Sequence, residues 1–461
     1  MSFSPQEKRA TAALASIYSF RMLGLFMLLP VFSLYAQNEY TGVTPFLIGL
    51  AVGVYGLTQA LLQIPFGLMS DRVGRKPLIY FGLTLFALGG IVSGLSDSIY
   101  GVIAGRALQG SGAIAAVTTA LLSDLTQEDN RSKAMAAIGM SIGLSFMLAM
   151  IAGPNLVGWV GLGGLFWLTA LLALGGILVC FFLVPTPESL RKNRDSLPVL
   201  SQLGVVFSDE QLRPLNFSIF LLHFILTACF VVLPPVLKQY GGLEIAEHGQ
   251  VYLFAIGLSF LAMLPLMVFA EKKSRIKEVF LLAIAIMFVG LLFLAMNYKE
   301  LSSVVGALFL FFFAFNLLEA LLPSLVSRLA PVGDKGTAMG LYSSGQFMGA
   351  FLGGVLGGAL LGGMGVASVF TALLVLVIIW FYVVWNMKSP RLLQSHMLTL
   401  WTGGKSSATW PGKQSVLESL LNIDGVEDVV VLEEEGVAYL KVDKSILDAT
   451  QLEKFSLVKP G

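Results

Sequence analysis

The 461-residue chain is 56% hydrophobic and only 12% charged, and its mean hydropathy is +0.82. Such a composition is too apolar for a soluble protein. A net charge of +1 excludes the basic surface that a nucleic-acid partner needs. The two cysteines, Cys180 and Cys229, lie in apolar runs with neither metal-ligand spacing nor a disulfide framework. The composition therefore predicts a membrane protein that needs no metal or cofactor.

Twelve apolar stretches are long enough to cross the ~30 Å of bilayer hydrocarbon as helices. They lack the alternating polarity of barrel strands, so the predicted fold class is all-α in the membrane. The first stretch is too long, and too polar after Tyr35, for a cleaved signal peptide. The predicted spans 1 to 12 are 13–37, 45–69, 77–96, 99–124, 133–159, 164–184, 214–239, 248–270, 278–297, 302–328, 337–363 and 365–387.

Lysine and arginine are distributed unequally between the two sides of this predicted bundle. The N-terminus, the segment after span 12 and the alternate loops on their side carry 19 of these residues, whereas the opposite loops carry only Lys238 and Lys299. Short loops rich in these residues stay cytoplasmic. Both termini are therefore predicted to lie in the cytoplasm, with the chain in a bacterial inner membrane.

The two halves of the chain resemble each other at an offset of 200 residues. The matched pairs are Pro65 with Pro265, Asp71 with Glu271 and Arg75 with Arg275. Two six-helix repeats around a central substrate site are a known transporter plan. The predicted domains are an N-terminal bundle (1–184), a central cytoplasmic loop (185–213), a C-terminal bundle (214–390) and a cytoplasmic domain (391–461).

Three motifs resemble the major facilitator superfamily. The stretch GLMSDRVGRKP (67 to 77) is similar to the family signature between spans 2 and 3, with Met69 as an added bulky residue. Arg106-Ala-Leu-Gln109-Gly110 matches its span 4 signature. Gly153-Pro154, which we expect to serve helix packing, resembles the glycine-rich span 5 motif of the drug/proton antiporter branch. The resemblance covers about residues 10–390 and implies that superfamily's fold.

Charges cluster where span 2 ends. An acid is disfavoured at a helix C-terminus, so Asp71 needs compensation from elsewhere. The resemblance implies that Asp71 faces the first turn of span 11, at Thr337, while Arg75 is expected to pair with Asp124. We hypothesise that these contacts hold an outward-open state; for Arg72 a simple interfacial anchor is the alternative. The predicted cytoplasmic gate comprises Gly67, Asp71, Arg72, Gly74, Arg75, Asp124 and Thr337.

Span 11 offers rows of small residues that suit close helix packing. One row contains Gly349, Gly353 and Gly357, and a second contains Gly354, Gly358 and Gly362. We expect this surface to complement span 2 across the two halves.

Four ionisable residues lie inside predicted spans, where charge is costly and commonly functional. Glu319 is the favoured proton carrier, and His223 is either a second carrier or a packing histidine. The resemblance also favours proton coupling for Arg106. Arg21 is left open between binding an anionic substrate, steering the proton and pairing with carbonyls. Polar residues expected in the substrate cavity are Arg21, Gln109 and Asn316.

The polar tail is predicted to form a small α+β domain. Its predicted elements are strands at 396–402, 426–433 and 437–443 and helices at 413–422 and 448–457. This order resembles a ferredoxin-like domain, but the tail has no cysteine for metal. Regulation, dimerisation, ligand sensing and inert stabilisation stay open. The GGKS stretch (403–406) lacks the first glycine of a phosphate loop, so ATP hydrolysis is not expected.

The sequence as a whole therefore predicts a transporter and not an enzyme. Its expected partners are the bilayer, protons and a small-molecule substrate. The favoured function is proton-coupled antiport that exports small amphipathic compounds. The alternatives are proton symport or uniport of a small metabolite and a transporter-derived membrane sensor.

Overall fold

The structure is a computed structural model. It describes residues 3–186, 202–272, 275–331, 334–389, 394–400, 413–432, 437–442, 446–447 and 451–452. The membrane helices are α1 (Pro5–Phe26), α2 (Phe32–Glu39), α3 (Pro45–Val73), α4 (Arg75–Gly94), α5 (Ile99–Ser111), α6 (Ala115–Leu125), α7 (Glu128–Phe182), α9 (Leu212–Gln239), α10 (Ile245–Lys272), α11 (Ile276–Asn297), α12 (Leu301–Leu329), α13 (Lys335–Met364) and α14 (Val366–Trp385), and the short helix α8 (Leu203–Ser208) precedes α9.

The predicted fold class is confirmed. Among the described residues, nine helices are long and apolar enough to cross a bilayer, and one of them, Lys133–Phe182, is long enough to cross twice. The remaining two crossings, spans 1 and 4, are each divided into two shorter helices. The membrane part consists of two six-helix bundles, formed by α1–α7 and α9–α14.

Four predicted spans differ in detail from the helices observed. Span 1 is interrupted between α1 and α2, around Pro30, because proline has no N–H for the helix ladder. Span 4 is interrupted at 112–114, where Gly112 leaves the helical conformation. Spans 5 and 6 run on as α7 through a kink at Gly161, whose φ of +70° favours glycine. In place of the predicted loop between spans 5 and 6, the helix only bends at Gly161.

Helix α13 joins the two bundles because it has a glycine-lined face for each. Gly354 packs on Gly49 and Gly53 of α3, so the two backbones are in contact across the bundle interface. Gly353 lies against Phe224 of α9, within its own bundle.

The prediction that both glycine rows of span 11 face span 2 is therefore wrong for one of them. Gly349, Gly353 and Gly357 pack against Phe220, Phe224 and Ala228 of α9, and only the row of Gly354 and Gly358 meets α3. Residues four apart on a helix share a face, while a shift of one residue turns the side chain by about 100°. Adjacent rows therefore point at different neighbours.

The contact between α3 and α13 predicts a specific sensitivity to one methyl group. A Cβ at Gly49 would overlap the carbonyl oxygen of Gly354. We expect Gly49→Ala to destabilise the protein by about 1–3 kcal/mol, because neither backbone can yield easily. Thermal unfolding in detergent measures this loss. Gly306→Ala, at a position with open space around it, should not lower the unfolding temperature, and equal values for both variants would contradict the close contact.

The tail forms a small α+β unit, as predicted. Strands β1 (Gln394–Thr399), β2 (Val426–Leu432) and β3 (Val437–Val442) form an antiparallel sheet in the order β1-β3-β2, and helix α15 is Lys413–Leu421. This is the order of a split β-α-β unit with a hairpin. Val416 and Leu420 of α15 share a core with Val429 and Val431 of β2. The GGKS stretch, the turn at 434–436 and most of the predicted helix 448–457 lie outside the described residues.

A buried lysine attaches this tail domain to the C-terminal bundle. Lys441 of β3 donates a hydrogen bond of 3.0 Å from Nζ to the carbonyl oxygen of Leu329, the last residue of α12. Free carbonyls at a helix C-terminus attract cations. Burial lowers the pKa of the Lys441 ammonium, while the nearby carboxylates of Asp428 and Asp209 oppose that shift. The contact is therefore a cap on α12 supplied by another domain.

Removing this cap should loosen the tail domain. We expect Lys441→Met to cost about 1–3 kcal/mol of docking free energy, because the Leu329 carbonyl loses a charged donor. Hydrogen exchange followed by mass spectrometry should show faster exchange in β3 and in the last turn of α12. Lys388→Met is the matched control, since the Lys388 side chain is 75% exposed in its pair with Glu210. Unchanged exchange in Lys441→Met would rule out a docking role.

Candidate functional site

The predicted gate residues of span 2 and span 4 form a compact ion-pair cluster. Arg75 Nη1 lies 2.7 Å from Asp71 Oδ1, and Arg75 Nε lies 3.1 Å from Asp124 Oδ2. The Arg75 guanidinium also donates to the Ser70 hydroxyl, a contact that the sequence did not suggest. Gly74, at φ +101°, separates α3 from α4 and turns the chain so that Arg75 points back at Asp71.

Burial differs sharply among these charges. The Arg75 and Asp124 side chains are 2% and 0% exposed, whereas Asp71 is 39% exposed. All three belong to the N-terminal bundle, so their ion pairs stabilise one bundle and cannot by themselves fasten two. Asp71, which is still partly exposed, is the member of this cluster able to reach another element. Its link to Thr337, which is buried in the first turn of α13, stays a prediction, as does a role for the exposed Arg72.

A second polar cluster lies in the C-terminal bundle. His223 of α9 and Glu319 of α12 approach to 3.9 Å between Nε2 and Oε2. Gln346 of α13 joins them: its amide nitrogen is 2.8 Å from His223 Nε2 and donates to Glu319 Oε1 at 3.3 Å. One carboxyl, one imidazole and one bridging amide from three helices therefore form a single hydrogen-bonded group.

This arrangement links protonation to helix packing. With Gln346 as the donor, His223 Nε2 is an acceptor, which describes a neutral imidazole. A proton on that nitrogen would turn it into a donor, so the Gln346 amide would have to rotate or leave. Gln346 is on α13, the helix that contacts both bundles. Sequence reasoning found His223 and Glu319 but missed Gln346, although an amide amid a glycine-rich span was an available signal.

A third polar cluster lies in the N-terminal bundle around Tyr55. Arg106 donates to Gln109 Oε1 at 3.1 Å and to carbonyls of α3 at 3.4 Å, and its guanidinium lies 5.1 Å from the Tyr55 ring centre. Gln109 donates to Thr169 at 3.1 Å. Arg21 donates to the Tyr55 hydroxyl at 2.7 Å and to Gln59. Two arginines thus contact one tyrosine, and each arginine is also hydrogen-bonded to a glutamine.

Two aromatic rings connect the clusters of the two bundles. Phe347 of α13 follows Gln346 in the chain, and its ring makes an edge contact with Tyr55 at 6.3 Å between centres. Ser344, two residues before Gln346, donates to the Ala60 carbonyl of α3 at 3.1 Å. The cluster of His223, Gln346 and Glu319 and the arginine cluster around Tyr55 are therefore neighbours across the bundle interface.

The remaining predicted site residues have structural contacts. Asn316 donates to Ser259 of α10 at 3.0 Å, which places its amide in the C-terminal bundle, apart from the group around Glu319. Gly153 lies against the Met27 carbonyl at the break of span 1, and Pro154 follows it within α7. Among the described residues, no three His, Cys, Asp or Glu side chains are grouped so as to hold a metal ion.

Comparisons with known proteins show which family and fold the chain is similar to. Residues 14–331 and 215–398 match the sequence profile of the Major Facilitator Superfamily. The chain is 44% identical over 451 residues to the inner membrane transport protein YajR of Escherichia coli, covering 98% of each. It is 36% identical over 377 residues to an uncharacterised transporter of Buchnera aphidicola subsp. Schizaphis graminum, covering 81% of this chain and 96% of that one.

Two solved structures share the fold. The human organic anion transporter MFSD10 (TETRAN) superposes with a TM-score of 0.63 at 21% identity, over 83% of this chain and 100% of that one. A bacterial homologue of the human lysosomal transporter Spinster, in an inward-facing and occupied conformation, gives 0.65 at 14% identity, over 85% and 98%.

The gate geometry yields one prediction. In Asp71→Asn, Arg75 keeps Asp124, so the bundle stays folded while the partly exposed charge is lost. If Asp71 secures the closed cytoplasmic side, a cysteine placed at Ser343 on α13 should react with a maleimide about fivefold faster, corresponding to ~1 kcal/mol of coupling. Asp97→Asn, a change at an exposed loop on the other side, should leave the rate as it is. Equal rates in both variants would remove Asp71 from the gate.

Proposed function

Because the chain belongs to the major facilitator superfamily, we propose that it is a proton-coupled secondary transporter that exports small amphipathic compounds by proton antiport. The observation that carries proton coupling is the group of His223, Gln346 and Glu319 at the bundle interface. As a member of that superfamily it is a multi-pass membrane protein. We place it in a bacterial inner membrane with both termini cytoplasmic, on the strength of the 19 to 2 asymmetry of lysine and arginine.

Alternating access needs two bundles that can separate on either side of a central site. The α3–α13 contact from Gly49 to Ala60 holds the bundles together toward the ends predicted to be periplasmic. The Arg75 cluster lies at the predicted cytoplasmic ends. In this proposal, glycine backbone packing closes one side, and the predicted contact of Asp71 with the first turn of α13 closes the other.

The proton step follows from the hydrogen-bond geometry. Glu319 accepts from Gln346 through Oε1, and its side chain is 37% exposed, while Oε2, the oxygen that faces His223, is buried. A proton on His223 Nε2 removes an acceptor of the Gln346 amide, and a proton on Glu319 neutralises the carboxylate and so weakens the hydrogen bond that its Oε1 accepts. Either change weakens the hold of α9 or α12 on α13 and so alters the helix that packs on α3. Protonation and bundle separation are thereby coupled in the proposed cycle.

A transporter-derived sensor is a second candidate function. The observation that favours it is the Lys441 contact, which ties the tail domain to the end of α12. The two functions differ in one measurement, because only a transporter moves a compound across a sealed membrane. Symport or uniport would appear in the same measurement as a different response to the direction of the proton gradient.

The coupling residue is tested with a compound identified in an efflux screen. In proteoliposomes with an imposed pH gradient, Glu319→Gln should reduce gradient-driven transport by at least about tenfold, because a neutral amide cannot carry the proton. Exchange of labelled for unlabelled compound at equal pH should persist. Glu300→Gln, at the other end of the same helix, should leave both rates unchanged. Wild-type coupling in Glu319→Gln would assign the proton to another residue.

A further inference from the structure

Arg21 is a buried cation whose hydrogen-bonding capacity is only partly used. Its side chain is in the N-terminal bundle, and the residue is 1% exposed. Nη2 donates to the Tyr55 hydroxyl and to Gln59 Oε1, whereas Nε and Nη1 are buried and have no hydrogen-bond partner among the described residues. A guanidinium has five N–H groups, so three of the five are unsatisfied. Such groups carry a large desolvation cost, which an arriving acceptor would remove.

The charge around Arg21 is also unbalanced. Its guanidinium lies 5.9 Å from the Tyr55 ring centre, and that of Arg106 lies 5.1 Å from the same ring. The described partners of both arginines are amides, a hydroxyl and backbone carbonyls. Arg75 in the same bundle differs, because two carboxylates face it. Two buried cations beside one tyrosine without an acid among their partners form a region that favours an anion.

The other groups of this region suit a polar ligand. Gln59 accepts from Arg21 and donates to Gln63 Oε1 at 2.8 Å, one turn further along α3. Tyr55, Gln59 and Gln63 are spaced four residues apart and therefore share one face of α3. The Tyr55 ring and Phe86, whose centre is also 5.9 Å from the Arg21 guanidinium, add apolar surface next to the charge. A ligand with an acidic group and an apolar body meets complementary chemistry here.

The cover over this region comes from the opposite bundle. Phe347 of α13 packs on Tyr55, and Gln346 beside it belongs to the cluster of His223 and Glu319. When the bundles separate, Phe347 leaves Tyr55 and the arginine side becomes accessible. The movement that exposes the cations is then the same movement that protonation of the C-terminal bundle controls.

We propose that Arg21, supported by Arg106, Tyr55 and Gln59, binds the acidic group of the transported compound, so that the substrate class is an organic anion with an apolar body. This proposal rests on the transport function proposed above and specifies its cargo. It assigns the two bundles different tasks: the N-terminal one binds the anion, and the C-terminal one binds the proton.

Ligand binding by the purified full-length protein tests the proposal without any proton gradient. Thermal unfolding in detergent is measured with matched pairs: naphthalene-2-carboxylate with naphthalene-2-carboxamide, naphthalene-2-sulfonate with its sulfonamide, and octanoate with octanamide. We expect at least one acid to stabilise the protein in a saturable manner and its neutral partner not to. Arg21→Gln should weaken the apparent affinity for that acid by at least about tenfold, the loss expected for a charge-assisted hydrogen bond. Arg21→Lys, which keeps the charge, should retain part of it.

Two controls separate binding from folding. Arg213→Gln changes an exposed arginine at the start of α9 and should leave the acid's affinity unchanged. Phe347→Ala removes the cover over Tyr55 and should raise the affinity for the acid and not for its neutral partner, because the binding-competent state becomes more populated. If Arg21→Gln yields no folded protein, Phe347→Ala tests the proposal instead, and an unchanged affinity for the acid in this variant would contradict it.

The proposal is overturned if no acid in the panel stabilises the protein, if neutral partners stabilise it equally, or if folded Arg21→Gln binds the acid as the wild type does. A failure of proton coupling would be seen elsewhere, as wild-type gradient-driven transport in Glu319→Gln. The two failures therefore have different signatures.

Discussion

The backbone contact between α13 and α3 is the interaction on which the remaining structure depends. In a bilayer the hydrophobic effect does not drive helices together, so association relies on close packing and hydrogen bonds. Glycines on both helices allow carbonyl groups and Cα atoms to meet directly. Such a surface is complementary in one register and loses its contacts as a unit when the helices part. It therefore suits an interface with two states rather than a continuously deformable one.

The position of α13 explains why the polar clusters lie where they do. Gln346 points to its own bundle and Phe347 to the other, because consecutive helical residues face different directions. One helix thereby touches an acid and an imidazole on one side and a tyrosine flanked by two arginines on the other. An acid in one bundle and two arginines in the other therefore lie only a few side chains apart. No ion pair joins the two bundles among the described residues.

Much of this architecture could be predicted from the sequence, for identifiable reasons. Apolar length is a strong signal, so the fold class of two helical membrane bundles was predicted correctly, and the alternation of apolar residues in the tail gave its α+β class. The pairing of Arg75 with Asp124 was also expected, since a lone acid at the end of a membrane helix needs a partner. The break near Pro30 and the kink at Gly161 were missed, because the hydropathy of an apolar stretch is the same whether its helix is continuous or interrupted.

The contacts inside the clusters were harder to anticipate. Gln59, Gln63 and Gln346 carry no charge, so they did not stand out in the sequence. Gln59 and Gln346 are hydrogen-bonded to the charged residues Arg21 and Glu319, and Gln63 is hydrogen-bonded to Gln59. The direction of each glycine row depends on helix rotation, which periodicity alone leaves undetermined. Asn316 was predicted to line the substrate cavity, and its described contact is a hydrogen bond to Ser259 of α10, a partner that the sequence alone did not reveal.

Helix α12 carries both the acid of the polar cluster and the carbonyl that binds the tail domain. Its carboxylate at position 319 is ten residues from the carbonyl at 329 that Lys441 caps, roughly 15 Å along a straight helix. Pro323 lies between these two positions and interrupts the hydrogen-bond ladder, so α12 has a point at which it can bend between the acid and the cap. In the transport cycle proposed above, a displacement of this end of α12 would also move the carbonyl that Lys441 caps, and with it the docked tail domain.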